Sequence, residues 1–314
     1  MSTLRTGGAP KLPMPLQGVV PPLVTPLTED SALDRDGLRS VVNHVLAGDV
    51  QGLFLLGSTG EFCSLSTDTR RAVIDEGCTA VAGRVPVVIN VSDTCLEESI
   101  QLAQYAARAG AAAVAICPPY YYSATQLDLV RYASKFAARV EVPVLLYNIP
   151  QHAHVEFAPE TIIRLAEVSN IVGIKNSNGS LDYLATVKCV KSYRPSFSLL
   201  VGNEEIMLSA LDAGADGSVC GGANLFPHLY AKLYQTAAGG CRLQAEALQA
   251  LAVRVAEAIY TIGPAPTAYL RGLKSALAHL GICGSTLAEP LGNFAPEEQE
   301  ELCSRLRSLL PDLR

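Results

Sequence analysis

Short apolar, β-branched runs bounded by turn residues recur along the chain at Gly18-Val24, Gly52-Gly57, Val85-Val91, Ala112-Cys117, Val142-Tyr147, Ile171-Lys175, Phe197-Val201 and Gly217-Cys220. Each predicts a strand. The runs are nearly continuous in apolar residues instead of alternating, which is how strands buried on both faces of a parallel sheet read. Between them apolar residues fall at helical spacing, as at Leu38, Val41, Val42 and Val45 or at Ile100, Leu102, Ala103 and Ala106. Asp, Ser or Thr often opens these stretches, as helix caps do. Strand and helix alternate eight times, so the expected fold class is α/β: a (β/α)8 TIM barrel with its helices outside a closed parallel sheet.

After about residue 238 the strand signal stops, and helical patterns follow at Arg242-Tyr260, Pro266-Leu280 and Pro296-Leu309. They predict a C-terminal helical domain over 239–314, divided from a catalytic barrel over 18–238 at Gly239-Gly240. Pro290 and Asn293 mark the last loop. Residues 1–17 read as a loose N-terminal tail.

Composition narrows the possibilities. With 314 residues, 49% hydrophobic and 17% charged, the chain can bury a large core and is too apolar for disorder. Its 24 Lys+Arg against 30 Asp+Glu leave a net charge of -6 and no basic footprint, so no nucleic-acid partner is expected. No apolar run reaches the roughly 18 residues that span a bilayer, and the opening lacks an apolar signal-peptide centre. No membrane association and a cytoplasmic location are therefore expected. The nine cysteines are scattered without a C-x-x-C and read as mostly buried free thiols in a reducing compartment.

Barrel enzymes carry their chemistry at the carboxyl ends of the strands. There the sixth run ends in Gly173-Ile174-Lys175-Asn176-Ser177, a lone lysine on an otherwise apolar strand. A lysine in a partly dry pocket deprotonates readily and can attack a carbonyl to form an imine, whereas a structural lysine is salt-bridged or reaches water. The fifth run ends in Tyr147-Asn148-Ile149-Pro150, placing a phenol one strand away, either as packing or as a proton carrier for the lysine. The second ends in Gly57-Ser58-Thr59-Gly60-Glu61, two hydroxyls and a run of N–H groups between glycines, suited to a small carboxylate or to capping a helix.

Gly57-Ser-Thr-Gly-Glu61, Pro118-Pro-Tyr-Tyr121, Tyr147-Asn-Ile-Pro150, Gly173-Ile-Lys175 and Gly214-Ala-Asp-Gly217, in this order and spacing, resemble the dihydrodipicolinate synthase/N-acetylneuraminate lyase family of class I pyruvate-dependent aldolases. The likeness runs from about Gly18 to the end and implies the same barrel with a helical C-terminal domain. By that resemblance Lys175 forms a Schiff base with pyruvate or another 2-oxo acid, and Tyr147 transfers protons. Ser58 and Thr59 match the pair that bind the substrate carboxylate and link Tyr147 to a hydroxyl relay. Val219 matches the position whose backbone oxygen lies near the lysine, and Tyr121 the relay tyrosine that crosses a tight-dimer interface. The resemblance further implies a homotetramer built as a dimer of dimers, and no metal or nucleotide cofactor.

Marks of subfamily are mixed. The arginine that the synthase branch carries after Tyr-Asn-x-Pro is absent from Pro150-Gln151-His152-Ala153, and a histidine lacks the two-pronged geometry of guanidinium. Gly202-Asn203-Glu204-Glu205 resembles the stretch with which sialic acid lyases hold sugar hydroxyls, so Gly202, Glu204 and Glu205 join Ile149 as expected substrate-binding residues. Negative charge there also suits the start of a helix. Cys220-Gly221-Gly222-Ala223-Asn224 looks closer to aldolases of 2-keto-3-deoxy sugar acids. The expected activity is a lyase or aldolase that interconverts a hydroxylated 2-oxo acid with pyruvate plus an aldehyde. The alternatives are 4-hydroxy-tetrahydrodipicolinate synthase, a dehydratase or deaminase on the same scaffold, or a non-catalytic 2-oxo-acid-binding protein. His152 and His154 have no further ligand cluster in the sequence, so no metal site is expected.

Overall fold

A computed structural model describes residues 11–265 and 267–313. Eight parallel strands follow the expected runs: β1 (Gly18–Val19), β2 (Leu53–Leu55), β3 (Val87–Asn90), β4 (Ala113–Ile116), β5 (Val144–Asn148), β6 (Ile171–Asn176), β7 (Ser198–Val201) and β8 (Gly217–Ser218). Several are shorter than their apolar runs because proline has no N–H to give a ladder: Pro21 and Pro22 follow β1, Pro86 precedes β3 and Pro143 precedes β5. Strand order runs β1-β8-β7-β6-β5-β4-β3-β2. The ring closes where Pro22 pairs in parallel with Phe54 and the Leu23 N–H donates to the Phe54 carbonyl at 2.9 Å. The fold is therefore the expected (β/α)8 barrel.

Around it lie α1 (Arg35–Leu46), α2 (Thr67–Val81), α3 (Leu96–Ala109), α4 (Gln126–Ala137), the single turn α5 (Pro150–Ala153), α6 (Pro159–Leu165), α7 (Leu181–Val187), α8 (Met207–Ala213) and α9 (Pro227–Ala238). Side chains of Asp34, Ser66, Thr125 and Ser180 accept N–H groups in the first turns of α1, α2, α4 and α7, which is why those helices begin where they do. Three longer segments follow: α10 (Arg242–Tyr260), α11 (Ala268–His279) and α12 (Pro296–Leu309). Gly239 and Gly240 fall between α9 and α10. One continuous apolar cluster joins the barrel to these last helices, through residues such as Val255, Leu273 and Leu306.

Two expectations need correction. Of the opening, residues 1–10 lie outside the described residues, but 11–17 are not loose. Leu12 and Leu16 are buried, and the Leu16 N–H donates to Ser198 Oγ at the start of β7 at 2.8 Å. The cysteines are free, yet only Cys117 and Cys220 are buried. Cys95 and Cys241 sit at helix starts, where the chain turns at the surface.

Candidate active site

The strand-two loop is held in an unusual backbone. Leu56 and Glu61 both have φ of 57°, a left-handed conformation that costs a side-chain-bearing residue on the order of 1–3 kcal/mol. Neighbouring groups hold it in place. Asn90 Nδ2 donates to the Leu56 carbonyl at 2.8 Å, while the Glu61 carboxylate accepts Lys274 Nζ at 2.6 Å and the Ala288 N–H at 2.7 Å. Between these fixed points Ser58 and Thr59 face a cavity of about 390 Å³ at the carboxyl ends of the strands.

Lys175 and Tyr147 reach the same cavity because the β5–β6 register sets them side by side, with Asn148 opposite Asn176. Asn148 Nδ2 donates to Asn176 Oδ1 at 2.9 Å and locks the two strand ends together. Lys175 is 4% exposed, and its Nζ lies 4.0 Å from the centre of the Tyr147 ring and 4.8 Å from that of Phe54. Among the described residues no carboxylate offsets its burial. Desolvation brings its pKa down to about 7, so a large share of the amine is unprotonated at neutral pH. The Tyr147 hydroxyl shares a hydrogen bond with Ser58 Oγ at 3.1 Å, and burial raises the phenol well above its ordinary pKa. At neutral pH it therefore keeps its proton.

The rest of the lining differs from expectation in part. Val219, Ile149, Gly202 and Glu205 all border the cavity. A Cβ at Gly202 would come within 2.1 Å of Ser177 Oγ, so a larger residue there requires that hydroxyl to turn away. Glu204 also borders it, but its oxygens are occupied. They accept the Gly222 N–H at 2.9 and 3.1 Å and the hydroxyls of Tyr230 and Tyr260 at 3.1 and 2.7 Å. Burial raises this carboxyl to about pKa 7 against the pull of its donors. Glu204 thus anchors the strand-eight loop from the edge of the cavity. Tyr121 is 78% exposed and stacks edge-on against Tyr122, outside the cavity of its own chain.

Several lining residues escaped the sequence reading as site residues, five of them with a part to play. Ser177 follows Lys175 on the same loop, and Gln151 and His152 come from α5. Desolvation, then His154 and Lys175, lower the His152 pKa, so this imidazole is neutral at pH 7. Asn203 carries a buried Oδ1 with no hydrogen-bond partner, a cost of about 1–3 kcal/mol that a bound donor would remove. Tyr269, from α11, lies against Thr59. The first four lie in or beside the strand-end motifs. Nothing local in the sequence links Tyr269 to the barrel. Among the described residues no group of three or more His, Cys, Asp or Glu side chains gathers as a metal cluster.

A closed parallel barrel with its polar groups collected at the carboxyl ends of its strands is the architecture of a barrel enzyme. The profile of the Dihydrodipicolinate synthetase family matches residues 15–309, and the chain belongs to that family of lyases and aldolases. It is 38% identical over 220 residues to the probable 2-dehydro-3-deoxy-D-pentonate aldolase YjhH of Escherichia coli, covering 69% of this chain and 73% of that protein. The solved dihydrodipicolinate synthase of Bacteroides thetaiotaomicron superposes with a TM-score of 0.91 at 41% identity, over 94% of this chain and 99% of that one. YagE of Escherichia coli, solved with pyruvate, gives 0.89 at 29% identity over 94% and 98%.

Proposed function

We propose that the protein is a lysine-dependent aldolase that cleaves, or in reverse forms, a 2-oxo-3-deoxy sugar acid, with pyruvate and an aldehyde as the other side of the reaction. The observation that carries this reading is Lys175: a buried amine with no carboxylate partner, a pKa lowered to about 7, and the Tyr147–Ser58 hydroxyl pair beside it.

The amine attacks the C2 carbonyl of the 2-oxo acid, and Tyr147 supplies the proton that lets water leave. The protonated imine draws electrons as the C3–C4 bond breaks. Tyr147, having given up its proton, takes the one leaving the C4 hydroxyl so that the aldehyde departs, and the enamine left on Lys175 takes that proton at C3 before water releases pyruvate. The N–H groups and hydroxyls of Ser58 and Thr59 hold the carboxylate, with the Val219 backbone, Ile149 and Gly202 shaping the pocket around it. The lysine is the only covalent participant, so no metal or nucleotide enters the scheme. A homotetramer in the cytoplasm is the corresponding assembly. Exposed Tyr121 and Tyr122 supply the aromatic surface for its tight dimer, and among the described residues no helix is long and apolar enough to cross a membrane.

Two features favour a polyol tail over aspartate semialdehyde. A neutral His152 offers no fixed charge for a second carboxylate, and the orphaned Asn203 Oδ1 accepts a hydroxyl but repels an anion. The names of YjhH and YagE, the latter a putative 2-dehydro-3-deoxy-D-gluconate aldolase, point the same way. The 41% identity to a solved synthase keeps the condensation of pyruvate with aspartate semialdehyde as the second reading. Assaying pyruvate release from 2-oxo-3-deoxy pentonate and gluconate beside that condensation decides between them. Sugar-acid cleavage with weak condensation is expected, and efficient condensation without cleavage overturns the choice.

A further inference from the structure

The turn that carries Ser58 and Thr59 is closed on itself. The Gly60 N–H donates to the Gly57 carbonyl and the Glu61 N–H to the Ser58 carbonyl, each at 3.0 Å. The place of Glu61 therefore sets the direction of the groups that Ser58 and Thr59 offer. Asn90 of β3 holds the entry of the turn, at Leu56, from within the barrel. Its exit is held from the C-terminal helices instead.

Lys274 of α11 grips that exit from two sides. Its Nζ is bonded to the Glu61 carboxylate at 2.6 Å and to the Thr25 carbonyl at 2.9 Å, and Thr25 Oγ1 donates to the Gly60 carbonyl at 2.8 Å. The other carboxylate oxygen of Glu61 accepts the Ala288 N–H, from the segment between α11 and α12, at 2.7 Å. The circuit leaves the turn at Glu61, crosses to α11 and returns at Gly60. Glu61 and Lys274 are sealed from water, their side chains 1% and 0% exposed, and neither borders the lysine cavity. An apolar pair of similar volume would fill this space without desolvating two charges. Stability alone does not call for the ion pair. A fixed direction for the turn does, because a charge-assisted bond has a defined geometry and apolar contact is non-directional.

We infer that Lys274 and Glu61 are positioning residues: through this ion pair the C-terminal helices fix the Ser58–Thr59 turn and so set the affinity of the lysine cavity for the carboxylate of a 2-oxo acid. Neither residue touches substrate, and each acts through the turn. The inference rests on the reading in which Ser58 and Thr59 hold that carboxylate beside the Lys175 imine. A shift of the turn by about 1 Å is enough for a large loss of binding or rate.

The double variant Glu61→Leu/Lys274→Met removes both charges together and keeps the core apolar, so it separates positioning from folding. Three quantities are read: the urea unfolding midpoint, KM and kcat for sugar-acid cleavage, and the pyruvate concentration that gives half-maximal borohydride trapping on Lys175. The expected result is a midpoint close to that of the unaltered protein, with KM and the half-trapping concentration raised roughly 10- to 100-fold and kcat lowered by less. A folded double variant that keeps both concentrations within about twofold overturns the inference, since the pair then serves folding alone. If the double variant does not fold, Thr25→Val decides. It keeps the shape of a buried side chain and the ion pair, loses only the bond to Gly60, and should raise both concentrations about three- to tenfold. Unchanged values in it then overturn the inference. On the unaltered protein, absence of any trapped adduct rejects the imine reading beneath, whereas an adduct on Lys175 with unchanged half-trapping in the variants rejects the positioning role only.

Discussion

Two lysines are buried in this barrel, and they are opposites. Lys274 is fully enclosed, but it sits 2.6 Å from the Glu61 carboxylate and 2.9 Å from the Thr25 carbonyl. Desolvation lowers its pKa, and the Glu61 carboxylate bonded to it opposes that fall. Lys175 is enclosed nearly as well, with two aromatic faces and no anion to hold its charge, and its pKa comes down to about 7. Burial alone does not make a lysine nucleophilic. What separates a structural amine from a reactive one here is whether the fold supplies a carboxylate partner.

The largest expected effect breaks the comparison at its reactive end. Lys175→Ala should reduce cleavage on the order of 10⁴-fold or more, measured as pyruvate release, because a nucleophile and its proton carriers act as a unit. At the structural end, Lys274→Met strands the Glu61 carboxylate in the core and should cost about 3–5 kcal/mol in urea unfolding. Adding Glu61→Leu to it should recover much of that loss, since an apolar pair asks for no desolvation.

Smaller effects sharpen the contrast through pH. The folded pKa of Lys175 lies near 7 and its unfolded value near 10.5, so the unfolded chain binds the extra proton between these values. The resulting penalty on folding is fully present below pH 7 and fades as pH rises toward 10.5. Lys175→Met should therefore raise stability at pH 7 by on the order of a few kcal/mol, at about 1.4 kcal/mol per tenfold change in proton affinity, with the gain vanishing in alkaline buffer. In the unaltered protein kcat/KM should fall below pH 7 as the amine protonates. The smallest change concerns the pocket rim. Asn203→Leu should raise KM for a sugar acid about tenfold, as loss of one hydrogen bond does, while Asn203→Asp, which keeps the acceptor, should raise it less.

The sequence already made much of this legible, and the division follows contact range. The eight apolar runs foretold the barrel because a strand covered on both faces leaves a one-dimensional trace. Lys175, Tyr147 and Ser58 were found because a barrel brings strand ends together whatever the helices do. What stayed hidden depends on distant packing. The Glu61–Lys274 bond joins residues 213 positions apart and sets Tyr269 against Thr59, and no pattern around Thr267 or Ala268 signals it. The internal partners of Glu204 have the same origin, since its donors come from Gly222, Tyr230 and Tyr260 on three later elements. A charged residue at a strand end announces that chemistry is possible there. Only the surrounding donors decide whether it is free to act.

The central claim is that Lys175, and not Lys274, is the amine that attacks a carbonyl. Incubating the folded protein with pyruvate, reducing with borohydride and locating the adduct by peptide mass analysis tests it most directly. The account predicts a single reduced adduct on the peptide containing Lys175, lost in Lys175→Ala. An adduct on another lysine, or none in protein shown to be folded, would contradict it.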